Sequence, residues 1–335
     1  MPTCKLCLGK EANKKNTHYL TDAIIRSCLN INGVNEREKG LYFSIDNANP
    51  FMDFNFQRLD EQTLENAIGR KPTEGEIENA KSIPFSVDYI FCSDCEKLFT
   101  EVENSFIRDI LPRFRKADLT GRENLSVEEN VICRSFFQIQ IFRSAVCTNV
   151  LQFSDDFIEK LRIIILEKSE DSTIPLCVTY LQTLGTEENY TANYVGFTSD
   201  KNPFFIFMND FVIQVYENNN DVKFVSFYGL NDEVDYKQYI NSKETSFCFK
   251  VLMEEKKKTI LKDIITDNVI DDKIQFYRNT STSIWRHVFG VYPNSFQVDK
   301  YIQLLASDDK NNILKYTREQ MHNFTVNYFR EILNI

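Results

Sequence analysis

The amino-acid sequence predicts an α+β protein, in which a smaller N-terminal region precedes a larger region that combines an antiparallel sheet with helices. Three observations predict this class. Two C-x2-C pairs bracket the first hundred residues, short apolar segments with turn signals between them fill residues 176–228, and helical patterns lie on both sides of those segments. With 28 Phe and only 10 Gly among 335 residues, the chain is neither disordered nor collagen-like.

The first elements are two cysteine pairs, Cys4/Cys7 and Cys92/Cys95. A C-x2-C pair places two thiolates on one tight knuckle, and two such knuckles supply the four ligands of a tetrahedral Zn²⁺. A redox role is the alternative, but neither pair has the surroundings of the thioredoxin motif. We therefore expect a structural zinc site, with Gly9 allowing the first turn and the five remaining cysteines serving as small buried residues.

Between and after the knuckles, the pattern predicts a short extended segment around His18 and a helix over 21–29 capped by Thr21. A strand over 87–91 leads into the second knuckle, and an apolar stripe predicts a helix over 95–107. A knuckle, a strand and a helix that starts at the second knuckle form a treble-clef arrangement. The segment 29–90 is an insertion, with a polar helix around 60–82.

After residue 117, the residue pattern predicts helices first and strands next. We expect a buried helix over 126–151 capped by Ser126, and a second helix over 155–168 capped by Ser154. Strands are expected at 176–181, 190–197, 204–208, 211–216 and 222–228, with a hairpin turn at Asn209-Asp210. Residues 256–275 and 298–333 return to helices. The predicted domains are therefore 1–117, which carries the insertion 29–90, and 118–335.

Charge and hydropathy limit the kinds of molecule that this protein is expected to bind. The net charge of −10 disfavours a protein that coats nucleic acid without specificity. Residues 1–40, however, hold seven basic residues against four acidic ones, and residues 108–116 hold four against one, which indicates a local phosphate-binding surface. No apolar run of about 18 residues occurs and the first residues carry no apolar signal segment, so we expect no membrane association and a cytoplasmic location.

Four segments together resemble a bacterial HNH-like (ββα-metal) nuclease group. They are T-H-Y-L at 17–20, F-C-S-D-C-E-K-L-F at 91–99, E-N-S-F at 103–106 and F-F-Q-I-Q-I-F-R-S at 136–144. The group reads roughly S-H-I-I-P-K, then L-C-x-x-C-E-x-x-F and E-x-x-F, followed by an apolar helix ending near Trp-Arg. The motif part of this likeness covers about a third of the chain.

The resemblance implies a metal-dependent endonuclease that hydrolyses phosphodiester bonds of DNA or RNA. It implies His18 as the base, Glu96 as the metal ligand on the helix, and Glu103 or Asp22 as further oxygen ligands for a catalytic Mg²⁺ or Mn²⁺. The plain alternatives are a hydrogen bond from His18 to a zinc thiolate and a helix-dipole role for Glu96. His287 and His322 are expected to be packed or surface residues.

This sequence departs from the group at several positions. Thr17 stands where Asp or His is expected as a ligand, Thr21 replaces the usual Pro, and no second histidine follows on the helix. Asp88 is the nearest candidate for the Asn that normally precedes the second knuckle. Two functions therefore remain: a regulated nuclease, for which the resemblance implies a defence or toxin role, and an inactive zinc-stabilised treble clef in a larger complex. In both, residues 118–335 are expected to bind a regulatory protein or to form a homo-oligomer.

Overall fold

The computed structural model describes residues 2–27, 41–44, 53–56, 61–62, 65, 70–79, 85–115, 117–169, 174–182, 195–197, 203–242, 245–265, 270–307, 309–316 and 318–334. Helices and strands are both well represented in this part of the chain, so the predicted combination of α and β structure is confirmed.

The strands are numbered in chain order. They are β1 (Thr17–His18), β2 (Leu41–Ser44), β3 (Asp53–Phe56), β4 (Ser86–Val87), β5 (Asn124–Val127), β6 (Leu176–Leu181), β7 (Val195–Phe197), β8 (Phe204–Met208), β9 (Phe211–Val215) and β10 (Phe247–Leu252).

The helices are numbered in the same way. They are α1 (Asp22–Ser27), α2 (Glu74–Asn79), α3 (Ser93–Ser105), α4 (Pro112–Arg115), α5 (Asn130–Cys147), α6 (Asp155–Glu167), α7 (Glu254–Ile265), α8 (Asp272–Phe289), α9 (Ser295–Leu305) and α10 (Arg318–Leu333). A π-helical turn over Phe106–Ile110 extends α3 toward α4.

The main sheet has six strands in the order β5-β10-β6-β9-β8-β7. All neighbours are antiparallel except β10 and β6, which run parallel. Strands β6, β8 and β9 are buried at every position, which requires cover on both faces of the sheet. The β8–β9 turn at Asn209-Asp210 is the predicted hairpin, and Asn209 takes a left-handed φ of 65° there.

Helix α5 lies between the sheet and the N-terminal region. Its Phe137 contacts Phe247 and Phe249 of the sheet, with ring centroids 5.7 and 5.8 Å apart. Phe136 stacks on Phe106 at 3.9 Å, which joins the helix to the turn that follows α3. Twelve residues of α5 are buried, so this helix is enclosed on nearly every side and its polar residues must face other protein groups.

The strand predicted over 87–91 is confined to Ser86–Val87, and two predictions after residue 117 are wrong. Ser126 does not cap a helix; it lies in β5, opposite Cys248, and α5 begins at Asn130 instead. Residues 222–228 form no strand. Phe227 of that segment stacks on Phe205 at 4.3 Å, so its alternating apolar residues cover the outer face of the sheet without backbone pairing.

Other predicted elements agree with the structure to different extents. Ser154 accepts a hydrogen bond from Phe157 N and caps α6, as predicted. The predicted helix over 256–275 corresponds to α7 and the start of α8, and the one over 298–333 corresponds to α9 and α10, which a 3₁₀ segment at Lys310–Lys315 separates. The strand predicted at 190–197 is described only over Val195–Phe197. Residues 28–29 and most of the insertion lie outside the described residues.

The predicted domain division at 117/118 stays a prediction. One hydrophobic cluster contains residues from both sides of it, including Phe99 and Phe114 before the division and Phe137 and Phe211 after it. Residues of helices α8, α9 and α10 form a second hydrophobic cluster around Tyr301. None of the helices in the described ranges has the length and apolarity needed to cross a bilayer.

Candidate functional site

The first knuckle is a tight turn that returns the chain on itself. Leu8 N donates to Cys4 O at 3.0 Å, and Cys4 N donates to Lys10 O at 2.8 Å. Leu8 adopts the left-handed φ of 54° that the turn requires, so the sequence prediction that Gly9 supplies this freedom is wrong. Lys5 N donates to Ile90 O at 3.0 Å and ties this knuckle to the chain entering the second one.

The second knuckle opens helix α3. Cys92 is the N-cap residue, with an extended backbone (φ −88°, ψ 163°), and its carbonyl accepts a 3.1 Å hydrogen bond from Glu96 N. Cys95 therefore lies in the first helical turn. Asn13 Oδ1 accepts from Ser93 N at 3.0 Å, so the segment after the first knuckle also fixes the start of α3.

The four cysteines meet as the spacing predicts. The sulfur atoms of Cys4, Cys7, Cys92 and Cys95 all lie within 4.8 Å of one another, and Cys7 Sγ is 4.0 Å from Cys92 Sγ. Neighbouring sulfur atoms around a tetrahedral Zn²⁺ lie about 3.8 Å apart, because each zinc–sulfur bond is about 2.3 Å. Four thiols at this separation can bind a metal ion such as zinc.

The surroundings of these thiols differ. The pKa of Cys7 is lowered to about 7, because hydrogen bonds from the Gly9 and Lys10 amides and the Cys4 thiol outweigh the effect of burial, which acts to raise it. Burial raises the pKa of Cys95, and the neighbouring thiols of Cys92 and Cys4 raise it further. Four clustered thiols cannot all ionise without a cation, whereas a bound metal ion deprotonates the thiols that coordinate it.

The cysteine cluster and a two-strand ribbon together position His18. β1 pairs antiparallel with β4, with His18 opposite Ser86, and Tyr19 N donates to Phe85 O at 2.9 Å. The His18 side chain is 23% exposed, and its Nε2 lies 3.8 Å from Asp22 Oδ1, in the first turn of α1. The imidazole is therefore partly exposed and faces a carboxylate, with its Nε2 atom itself buried.

Polar side chains from α3 and α5 meet the start of α1. Glu103 Oε1 accepts from Arg143 Nη1 at 2.7 Å and from Thr21 Oγ1 at 2.8 Å. Gln140 Oε1 accepts from Thr21 N at 2.9 Å, and the Arg143 guanidinium lies 5.2 Å from the centre of the Phe99 ring.

These groups form one set, which we call the polar cluster. Its members are Thr17, His18, Thr21, Asp22, Glu96, Glu103, Gln140 and Arg143.

Glu96 lies seven residues before Glu103 on α3, and is partly buried. Burial raises the pKa of Glu96; Arg143 and the Thr17 hydroxyl act to lower it, and the Glu103 carboxylate acts to raise it again. Arg143 therefore lies within electrostatic range of both glutamates, which makes it the central cation of the polar cluster.

Helix α5 carries buried polar side-chain atoms that form no hydrogen bond with the described residues. Gln140 Nε2, Arg143 Nε and Ser144 Oγ are buried and have no hydrogen-bond partner among the described residues. Residues 140, 143 and 144 share one face of the helix. Buried polar atoms of this kind are normally satisfied by ordered water or by a ligand.

The structure brings the sequence-predicted residues together only in part. Glu103, for which the resemblance implies a role as an oxygen ligand, is 16% exposed and paired with Arg143, itself 3% exposed. Among the described residues, the four cysteines are the only group of three or more His, Cys, Asp or Glu ligands close enough to hold one ion. Asp88, the candidate before the second knuckle, is exposed and accepts from Asn16 N at 2.7 Å.

Arg143 and Gln140 are absent from the predicted site residues. The signal for them was present, because long polar side chains in a helix that is predicted to be buried must make buried polar contacts. His287 and His322 are exposed on α8 and α10. Of the five cysteines predicted to be buried, Cys133 and Cys177 are buried, Cys147 and Cys248 are partly exposed, and Cys28 lies outside the described residues.

Comparison with known proteins returns no match: no family model, no curated protein and no solved structure is similar to this chain.

Proposed function

We propose that this protein is a metal-dependent nuclease of the HNH-like, treble-clef type, which hydrolyses phosphodiester bonds of DNA or RNA. The observation that carries the proposal is the position of His18. A partly exposed imidazole, whose Nε2 is itself buried, faces Asp22, and its neighbours along the chain contact Glu96 and Glu103, the second of which pairs with Arg143.

Four cysteines within metal-binding distance support the treble-clef part of the proposal. A zinc ion bound there is structural, since all four ligands are protein thiolates and no position stays open for a substrate. Its contribution is to fix the two knuckles, which hold the β1–β4 ribbon and the N-terminus of α3.

In this proposal His18 is the general base. It accepts a proton from the attacking water, and the Asp22 carboxylate, 3.8 Å from Nε2, stabilises the imidazolium that forms. Arg143 supplies positive charge near the carboxylates of the polar cluster, and phosphoryl transfer depends on such charge near the reacting phosphate.

A catalytic Mg²⁺ or Mn²⁺ would supply Lewis-acid stabilisation of the leaving oxygen. Glu96 and Asp22 are the residues that would hold it, because Glu103 is already engaged by Arg143 and Thr21. Both are carboxylates, which suit these hard cations.

A nuclease of this kind must be restrained inside the cell. We propose that residues 118–335 provide the restraint through a protein partner or a second copy, as part of a bacterial defence or toxin system. The shared hydrophobic cluster supports such coupling, since α5 touches both the sheet and the N-terminal region.

The second candidate is an inactive zinc-stabilised interaction module. A specific observation favours it: the carboxylate of Glu103 pairs with Arg143, as in a purely structural ion pair, and outside the cysteines no group of three ligands is gathered within the described ranges.

The test is cleavage of plasmid DNA and of RNA by the full chain loaded with zinc, with Mg²⁺ or Mn²⁺ added. His18→Ala is expected to lower the rate by about 100-fold or more, the usual contribution of a general base. His322→Ala, an exposed histidine on α10, is the matched control and leaves the rate unchanged. Wild-type cleavage that His18→Ala does not reduce, or no cleavage of either substrate, would favour the interaction module.

A further inference from the structure

The short helix α1 carries Asp22 and follows His18, but it cannot hold its own position. It has six residues, Asp22–Ser27, and an isolated helix of that length is unstable in water. Its placement must come from contacts with other elements. Ile24 is fully buried and provides an apolar anchor. The Arg115 side chain also contacts its backbone.

Arg115 ends helix α4 and binds α1 through its carbonyl groups. Its Nη2 donates to Ile24 O at 3.1 Å and its Nη1 to Ala23 O at 3.5 Å. A carbonyl oxygen has two lone pairs, so each of these groups can accept from the guanidinium in addition to a helical N–H.

The same guanidinium is fixed by the sheet. Nε and Nη2 of Arg115 donate to Oδ2 and Oδ1 of Asp210, at 2.8 and 3.0 Å. Asp210 is 2% exposed and lies in the two-residue turn between β8 and β9. Its own carbonyl accepts from Leu181 N at 2.7 Å, so the turn is tied to the end of β6.

We propose that Arg115 is a positioning residue, through which the β8–β9 turn of the sheet sets the placement of helix α1 and of its Asp22. Its catalytic consequence rests on the proposed function, whereas the mechanical link does not. The fork geometry is essential, because a bidentate contact with Asp210 leaves other guanidinium hydrogens for the α1 carbonyls. A displacement of the turn therefore moves the start of the polar cluster.

Arg113 provides a matched control on the same helix. It also forms a bidentate ion pair, with Glu129, but that pair is exposed and reaches neither α1 nor the sheet turn. Arg113→Lys and Arg115→Lys thus make the same chemical change two residues apart. Lysine keeps the charge beside Asp210 and removes the fork, which also limits the risk of misfolding.

The experiment is hydrogen exchange on the zinc-loaded full chain, comparing wild type, Arg115→Lys, Asp210→Asn and Arg113→Lys. Arg115→Lys and Asp210→Asn are expected to raise exchange at residues 22–27 by about tenfold through local opening, with α6 unchanged as the internal reference. Arg113→Lys leaves both regions unchanged. Exchange at 22–27 that equals the wild type, or rises equally in α6, would overturn the proposal.

Kinetics supply the second readout. If the wild type cleaves nucleic acid, Arg115→Lys is expected to lower kcat by about tenfold with KM little changed, because misplacement of a catalytic group affects the chemical step. An unchanged kcat beside raised exchange would also overturn the positioning role. If the wild type cleaves nothing, the proposed function fails, and exchange alone decides whether the link exists.

Discussion

The four-cysteine cluster and the polar cluster share helix α3 but are built in different ways. The cysteine cluster uses four identical side chains from two short knuckles, and its sulfur atoms all lie within 4.8 Å of one another. The polar cluster uses different side chains from three separate parts of the chain: the segment around α1, α3 and α5. Its ionisable groups include two pairs, Glu103 with Arg143 and His18 with Asp22, and among the described residues no three of its carboxylate and imidazole groups gather around one point.

This difference in construction shows which contacts each cluster depends on. A knuckle is shaped by hydrogen bonds within a few residues, such as Leu8 N to Cys4 O, and the two knuckles are tied to each other by Lys5 N to Ile90 O. The polar cluster exists only if α5 lies correctly between the sheet and the N-terminal region. Removing a ligand from the cysteine cluster should therefore cause one large loss of stability. Substitutions in the polar cluster should cause smaller losses, whose size depends on the side chain that is changed.

The largest effect is expected for the paired substitution Cys4→Ser and Cys92→Ser. A structural zinc site contributes about 10 kcal/mol or more of binding free energy, so its loss should lower the free energy of unfolding by at least about 5 kcal/mol. Denaturant unfolding measures the loss of stability, and metal analysis measures the loss of zinc. A chelator should cause both losses in the wild type.

Cys248→Ser is the matched control, because this thiol lies on β10 and outside the cysteine cluster. It should retain the metal and lose at most about 1 kcal/mol, as is common for single substitutions. If the paired variant keeps both its metal and its stability, the two clusters do not differ in the way described.

A smaller effect is expected for Arg143→Met. This change leaves the Glu103 carboxylate without its guanidinium partner in a largely buried site, which costs about 3 kcal/mol of unfolding free energy. Arg108→Met, which breaks an exposed pair with Asp109, should leave the unfolding midpoint unchanged.

The double variant Arg143→Met with Glu103→Leu sharpens the comparison. Its loss of unfolding free energy should be smaller than the sum of the losses in the two single variants, because neither charge is then left without its partner. Strict additivity in equilibrium unfolding would mean that Arg143 and Glu103 act independently, which is incompatible with a coupled polar cluster.

Local signals account for the parts that the sequence predicted well. The knuckles, the Ser154 cap of α6 and the Asn209-Asp210 turn each depend on residues within about four positions of one another. The polar cluster was predicted only in part. His18, Glu96 and Glu103 were found through a resemblance, whereas their partner Arg143 comes from a helix forty residues beyond Glu103.

The errors have the same origin. Residues 222–228 have the alternation of a strand, but that pattern equally suits a segment that lays Phe227 on the outer face of a sheet. Strand β10 was missed because its pairing with β5 and β6 joins residues far apart in sequence. No pattern within one segment shows which distant partner it will meet.

The central claim is that four thiolates hold one zinc ion and leave His18 free of the metal to face Asp22. X-ray absorption at the zinc edge of the purified chain tests it most directly. We expect one zinc per chain with four sulfur ligands at about 2.3 Å, and an unchanged spectrum for His18→Ala. A nitrogen ligand at about 2.0 Å that disappears in His18→Ala, or a chain without zinc, would contradict the account.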